Sequence, residues 1–215
     1  MNHPVITHYR VRLLIIRIRS FRGILVAKSI KTILLFFSLL TISLPLMARE
    51  LDINVGADLI RATYISPIEG ADYGRKDVTF GGFYNKDDNY FFDTSLLIID
   101  EAGNKFPGLE LGIGPKAYLG QTKTQDYLTF GIVGLINYRL SSINRLILSG
   151  SGYFSPSIIS FMDANQMWEF EVRAAYEIIP SASIYVGYRK IEVDVNIPNE
   201  RTVDDEVHFG FKMAF

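Results

Sequence analysis

From Val207 to the final residue every second position is apolar: Val207, Phe209, Phe211, Met213 and Phe215 alternate with His208, Gly210, Lys212 and Ala214. A two-residue period sends alternate side chains to opposite faces of an extended strand, so this segment is a strand with one apolar and one small or polar face. The pattern recurs upstream. Trp168, Phe170, Val172, Ala174, Tyr176 and Ile178 alternate with Glu169, Glu171, Arg173, Ala175 and Glu177, and four of those last five are charged. Ile184, Val186 and Tyr188 alternate with Tyr185, Gly187 and Arg189 between a short Ile179–Ala182 connection and a polar Asn196–Asp205 loop.

The same alternation marks Leu128–Tyr138, Leu109–Leu119 and, more weakly, Leu51–Leu59, where Leu51, Ile53, Val55, Ala57 and Leu59 face away from Asp52, Asn54, Gly56 and Asp58. Asp77–Tyr84, Tyr90–Ile99 and Ile143–Phe154 are strand-like but less cleanly two-faced, giving nine candidate strands and no helix-period segment after residue 48.

Residues 1–48 have a different character. Arg10, Arg12, Arg17, Arg19, Arg22, Lys28 and Lys31 precede an uncharged run, Thr32–Met47, that ends at Ala48 before Arg49-Glu50. A basic region, an apolar region of about 15 residues and a small residue at the cut are the layout of a secretory signal peptide, with cleavage after Ala48. An uncleaved anchor is the competing reading, but the run falls short of the ~20 apolar residues a spanning helix needs. Residues 49–215 then form one domain. They hold 15 basic and 23 acidic side chains, a net charge of −8 that argues against a nucleic-acid partner. The chain has no cysteine, so disulfides, thiolate metal sites and thiol nucleophiles are excluded.

Two all-β architectures use such strands with opposite conventions. A soluble sandwich packs the apolar face inward, whereas an outer-membrane barrel turns it to lipid, keeps a polar interior and places aromatics at the two interfaces. An export signal, alternation of about ten residues per segment and an aromatic last residue favour the barrel, since outer-membrane assembly machinery recognises such a terminus. A sheet in hydrocarbon must close, and single-chain bacterial barrels have even strand numbers. The expectation is a transmembrane antiparallel up-and-down β-barrel of eight or ten strands over residues 49–215. With both termini periplasmic, Ser155–Asn165 and Asn196–Asp205 become external loops.

Over nearly the whole mature chain the sequence resembles the YfaZ-like outer-membrane protein family. The likeness rests on Tyr153-Phe154-Ser155-Pro156, the Glu-rich strand Trp168–Glu177, the Pro180 turn into Gly187-Tyr188-Arg189, the Phe209-Gly210-Phe211 ending and Lys116-Ala117-Tyr118-Leu119. It implies a small Gram-negative β-barrel located in the outer membrane and says little of activity.

By the alternation, Asp52, Asp58, Asp93, Glu110, Lys116, Glu169, Glu171, Arg173, Glu177, Arg189 and Lys212 point inward. Charges persist in a narrow interior when paired or hydrated, so Glu110, Lys116, Glu169, Glu171, Arg173, Glu177, Arg189 and Lys212 are expected to form a lumen charge network, either a plug or the wall of a narrow cation-preferring pore. Val207, Phe209, Phe211, Met213 and Phe215 are expected to be the C-terminal assembly signal. The expected partners are the lipid bilayer, lipopolysaccharide and the outer-membrane assembly machinery, with the protein a monomer.

Catalysis is the other class to weigh, since some small barrels modify lipids with a His, a Ser and an acid. After signal removal the sole histidine is His208, on the inward face near the start of the last strand, with no serine in a nucleophile motif. No enzyme, cofactor or metal role is therefore expected. Asp87-Asp88 and Asp204-Asp205-Glu206 read as solvated acidic loops rather than cation sites.

Overall fold

The computed structural model describes residues 49–68, 74–86, 89–103, 105–121, 125–195 and 201–215. The expected signal peptide, residues 1–48, and Asp87-Asp88 lie outside them. The strands are β1 (Glu50–Val55), β2 (Leu59–Ile68), β3 (Arg75–Asn85), β4 (Tyr90–Glu101), β5 (Leu109–Gln121), β6 (Asp126–Arg139), β7 (Leu146–Ser155), β8 (Ser160–Met162), β9 (Ala164–Ile179), β10 (Ala182–Val195) and β11 (Arg201–Ala214). The one helical element described is a single 3-10 turn, Ser157–Ile159.

Apart from β8, the strands pair antiparallel in chain order, β7 passing directly to β9, and β1 pairs with β11, Glu50 opposite Ala214 and Val55 opposite Phe209. β5 also pairs with β6, so no edge remains and the sheet is a closed barrel. The barrel has ten staves. β7 pairs with β6 from Arg139 to Ile132, and β8 then continues along β6 at Thr129–Tyr127, so the two pieces share one stave around the 3-10 turn.

The tenth stave is the strand that alternation does not resolve. The apolar series Leu51–Leu59 runs through a turn at residues 56–58, after which β2 reverses. Glu206 accepts the backbone N–H groups of Ala57 and Asp58 at 2.7 and 3.0 Å, which satisfies donors that a tight turn leaves free. Asp58 therefore sits on the turn, paired with Lys86 outside the lumen, and not inward as the alternation suggests. Asn196–Asp205 is likewise shorter than a loop of that span, because β10 continues to Val195 and β11 begins at Arg201. His208 consequently lies mid-strand, and Asp204-Asp205-Glu206 lie in β11 and not in a solvated loop.

Both ends of the barrel chain lie at one rim, here the terminal rim. Arg49 and Phe215 exchange backbone hydrogen bonds there at 2.9 and 2.8 Å. The outward face is apolar: Ile113, Ile132, Phe154, Ile184 and Phe209 are all at least half exposed. Exposed aromatics cluster toward the two rims. Tyr84, Tyr90 and Phe161 lie toward the far rim, while Tyr138, Tyr176 and Phe215 lie at the terminal rim. On β10 the outward face turns from Ile184, Val186 and Tyr188 to Lys190, Glu192 and Asp194, and Lys190 lies 5.5 Å from the Trp168 ring. That switch marks where the apolar outward band of β10 ends. The 156–163 segment is less polar than its expected role as a loop suggests, since Ile158, Phe161 and Met162 are exposed and Phe161 packs edge-on to Phe130.

Candidate functional site

Ten staves enclose more interior than eight, whose side chains just fill the space. Inward positions of β2, β4, β5 and β9 meet first at mid-depth. Arg61 Nη1 donates to Glu169 Oε1 at 2.7 Å and Nη2 to Asp93 Oδ2 at 2.8 Å. Lys116 Nζ donates to Glu169 Oε2 at 2.8 Å and lies 3.7 Å from Asp93 Oδ1. The Tyr118 hydroxyl donates to Glu169 Oε2, and the Lys116 ammonium stands 4.5 Å from the Tyr118 ring centroid. Two cations thus face two carboxylates, and every one of these four side chains is less than a tenth exposed.

A second group spans the adjoining strands β1, β11, β10 and β9. Arg173 Nη1 donates to Asp52 Oδ2 at 2.5 Å and Nη2 lies 2.9 Å from Glu171 Oε1, with the guanidinium 4.6 Å from the Tyr185 ring. Tyr185 donates its hydroxyl to Asp52. Arg189, fully buried, pairs with Asp204 at 2.5 Å, donates to Asn54 Oδ1 at 3.1 Å and lies 3.7 Å from Glu171. His208 Nε2 is 3.0 Å from Glu171 Oε1. The ring fits because residue 187 on the neighbouring strand is glycine: a Cβ there would meet His208 Nε2 at 2.6 Å and the Val172 carbonyl oxygen at 2.9 Å.

The structure thus divides the eight expected network residues. Lys116, Glu169, Glu171, Arg173 and Arg189 converge at mid-lumen. Glu110, Glu177 and Lys212 lie at the terminal rim in separate pairs: Lys212 with Glu50, Glu177 with both terminal nitrogens of Arg139 at 2.6 and 2.8 Å, and Glu110 with Asn137 at 3.3 Å. The hub of the first group, Arg61, was not among the residues singled out from the sequence. It sits on the strand the alternation missed.

Between the mid-lumen charges and the terminal rim lies a cavity of about 530 Å³. Its walls carry nine carboxylates and six cationic side chains. The two sides differ. Leu97 and Ile99 of β4 and Val133 and Leu135 of β6 form an apolar patch on one side, bordered by Ser95, Lys116, Asn137 and Ser151, while β9, β10, β11 and β1 supply Arg173, Glu177, Ser183, Tyr185, Lys212 and Asp52 on the other.

Toward the far rim the lumen is filled. Leu59, Phe83, Phe91, Tyr127, Met167, Ile191 and Val193 form one buried cluster, with Met167, Ile191 and Val193 fully inaccessible. Phe91 stacks on Phe83 at 4.6 Å and lies parallel to Tyr127 at 6.0 Å. Such a cluster leaves no water path between its own members, because close-packed side chains exclude water-sized gaps.

Among the described residues no group of three or more His, Asp or Glu side chains could hold a metal ion. His208 is completely buried, so its ring meets neither solvent nor the outward face. The C-terminal series Val207, Phe209, Phe211, Met213 and Phe215 points outward, each residue 41–68% exposed.

A family model described as YfaZ precursor matches residues 36–215. No curated protein matches the sequence. Among solved structures the chain is similar to the KdgM porin in complex with disordered oligogalacturonate, at 7% identity over 79% of this chain and 99% of that one, with a TM-score of 0.43. It is also similar to the outer membrane channel DcaP of Acinetobacter baumannii, at 8% identity over 76% of this chain and 54% of that one, with a TM-score of 0.41.

Proposed function

The chain belongs to the YfaZ precursor family, and from that premise and the form of its lumen we propose an integral outer-membrane β-barrel of a Gram-negative bacterium, non-catalytic and monomeric, with a plugged lumen and a structural or surface-interaction role. Its partners on this reading are the bilayer, lipopolysaccharide and the assembly machinery that reads the Val207–Phe215 series. Closure and an apolar outward face between aromatic rims support the membrane location. With both chain ends periplasmic, the cavity opens to the periplasm and the filled half faces outward.

The observation that carries the plugged reading is the cluster of Phe91, Tyr127, Met167, Ile191 and Val193, each at most 1% exposed, stacked beyond a paired charge layer. An ion crossing the barrel would have to break both. The inaccessible His208 speaks against lipid chemistry, which needs a histidine presented to an acyl chain.

The test is single-channel recording on folded 49–215 in a planar bilayer, with insertion verified independently. Silence from inserted protein is expected. Reproducible steps with cation preference would replace the plug by the second reading, a narrow cation-preferring pore, which the nine-to-six excess of carboxylates along the cavity favours.

A further inference from the structure

The cavity at the terminal rim is more than unfilled space, because its lining is sorted. On β4 and β6 the inward side chains Leu97, Ile99, Val133 and Leu135 form an apolar patch, with Gly112 of β5 between Ile99 and Leu135; a Cβ at residue 112 would meet Ile99 Cγ1 at 3.0 Å and Leu135 Cβ at 3.3 Å. The glycine lets those two side chains close over β5 into one continuous wall.

At the mouth above that wall stand two carboxylates in direct cross-strand register, Glu101 of β4 and Glu110 of β5. Like charges directly opposite each other destabilise a sheet. Little offsets this pair. Glu110 accepts one hydrogen bond from Asn137 at 3.3 Å and has Arg75 at 4.0 Å, while the Glu101 carboxylate meets no cation among the described residues. The other mouth carboxylates, Glu50, Asp77 and Glu177, have close cationic partners. Glu101 is therefore the mouth carboxylate without a cation among the described residues, and it sits over the apolar patch of the cavity.

We propose that this cavity is a binding site for an amphipathic organic cation, an alkyl- or arylammonium whose apolar body lies along Leu97, Ile99, Val133 and Leu135 and whose charged head sits between Glu101 and Glu110. The chemistry selects the class on three counts. An apolar wall of this length rewards a hydrocarbon body, two registered carboxylates reward a cation, and a volume of about 530 Å³ admits a body of several methylenes while the paired Arg61–Glu169 layer below stops a longer chain. An anion would meet the carboxylates first and gain nothing from cations already committed to Asp52, Asp93, Glu169 and Glu171.

The inference rests on the one-ended lumen of the proposed function, and the experiment separates the two. Mature barrel in lipid nanodiscs is titrated calorimetrically with butyl-, pentyl- and hexyltrimethylammonium, with hexyl sulfate as the anionic counterpart and empty nanodiscs as the partition blank. Affinity is expected to rise about three- to fourfold per methylene, to exceed that for hexyl sulfate at least tenfold, and to fall at least tenfold in the E101Q/E110Q double variant, whose folding is checked by heat-modifiable gel mobility. Should the double variant fail to fold, R75E and neutral L135N report on the same mouth and wall, the first strengthening and the second weakening binding. Equal binding of hexyl sulfate, no dependence on chain length, or unchanged affinity in E101Q/E110Q overturns the proposal. A silent barrel that binds none of the ammonium probes overturns it while leaving the plugged lumen standing; a conducting barrel that binds them as expected does the reverse.

Discussion

Arg61 on β2 and Glu169 on β9 are 108 residues apart in the chain and four staves apart around the barrel, yet the guanidinium Nη1 lies 2.7 Å from the carboxylate Oε1. Backbone ladders tie only neighbouring staves, so this pair is a strut across the lumen that no strand pairing supplies. The same carboxylate also takes Lys116 and Tyr118, which makes it the acceptor on which three donors depend.

Glu169→Ala should therefore cost more than one ion pair. It strands Arg61 and Lys116 against Asp93 alone, and breaking a buried pair by removing one partner costs about 3–5 kcal/mol. Urea unfolding of the refolded barrel measures this. The double variant R61M/E169M should be less destabilised than Glu169→Ala, because it removes a buried charge of each sign; a double variant that is worse than the single one would show that the strut is net stabilising in itself.

Arg173→Leu leaves Asp52 and Glu171 without their closest cation and should lower the barrel's melting temperature. Arg139→Leu is the internal comparison. Its bidentate partner Glu177 lies at the rim, where the Arg139 side chain is 45% exposed, and such pairs contribute about 0–1 kcal/mol. Equal shifts for the two variants would mean that depth in the lumen does not strengthen these pairs.

Gly187→Ala should destabilise the barrel through the 2.6 Å approach of its new methyl to His208 Nε2. Adding His208→Ala should restore part of the loss and not all, because the Val172 carbonyl oxygen lies 2.9 Å from the same methyl and belongs to the backbone. Full recovery would place the whole strain on the imidazole. Thermal melts of the two variants settle the partition.

Phe215→Ser should separate folding from delivery. The Arg49–Phe215 hydrogen bonds are made by backbone atoms, so refolding into detergent should survive and unboiled protein should still migrate differently from boiled protein on a denaturing gel. The amount reaching the outer membrane in cells should fall several-fold if the aromatic is read by the assembly machinery. Unchanged delivery would remove the Val207–Phe215 series from that role.

The outward faces were legible where they are apolar along their length and alternation then has contrast, as in Trp168–Ile178 and Val207–Phe215. β2 was not, for two reasons. The turn at residues 56–58 lets an apolar series run through a reversal, and Thr63, Tyr64 and Ile65 are all strand formers of middling burial, so neither face stands out. Losing β2 lost Arg61, and with it the centre of the first charge group. The filled half of the lumen was hidden by a different effect. Phe83, Phe91, Met167, Ile191 and Val193 occupy inward positions on strands that also carry inward charges, Asp77, Asp93, Glu169 and Arg189, so a rule of apolar outside and polar inside misreads them. Spacing fixes which face a residue takes; it does not report depth along the barrel axis, which decides whether that face needs charge or bulk.

On the proposed reading of a plugged lumen, the off-centre stopper gives this barrel the topology of a cup and not of a tube. Whatever entered such a cup would exchange with the fluid on one side of the membrane alone, and filling or emptying it would leave the permeability of the envelope untouched. A cell could therefore carry such barrels in large number, each sampling the composition of a single compartment, without the leak that an equal number of open channels would impose.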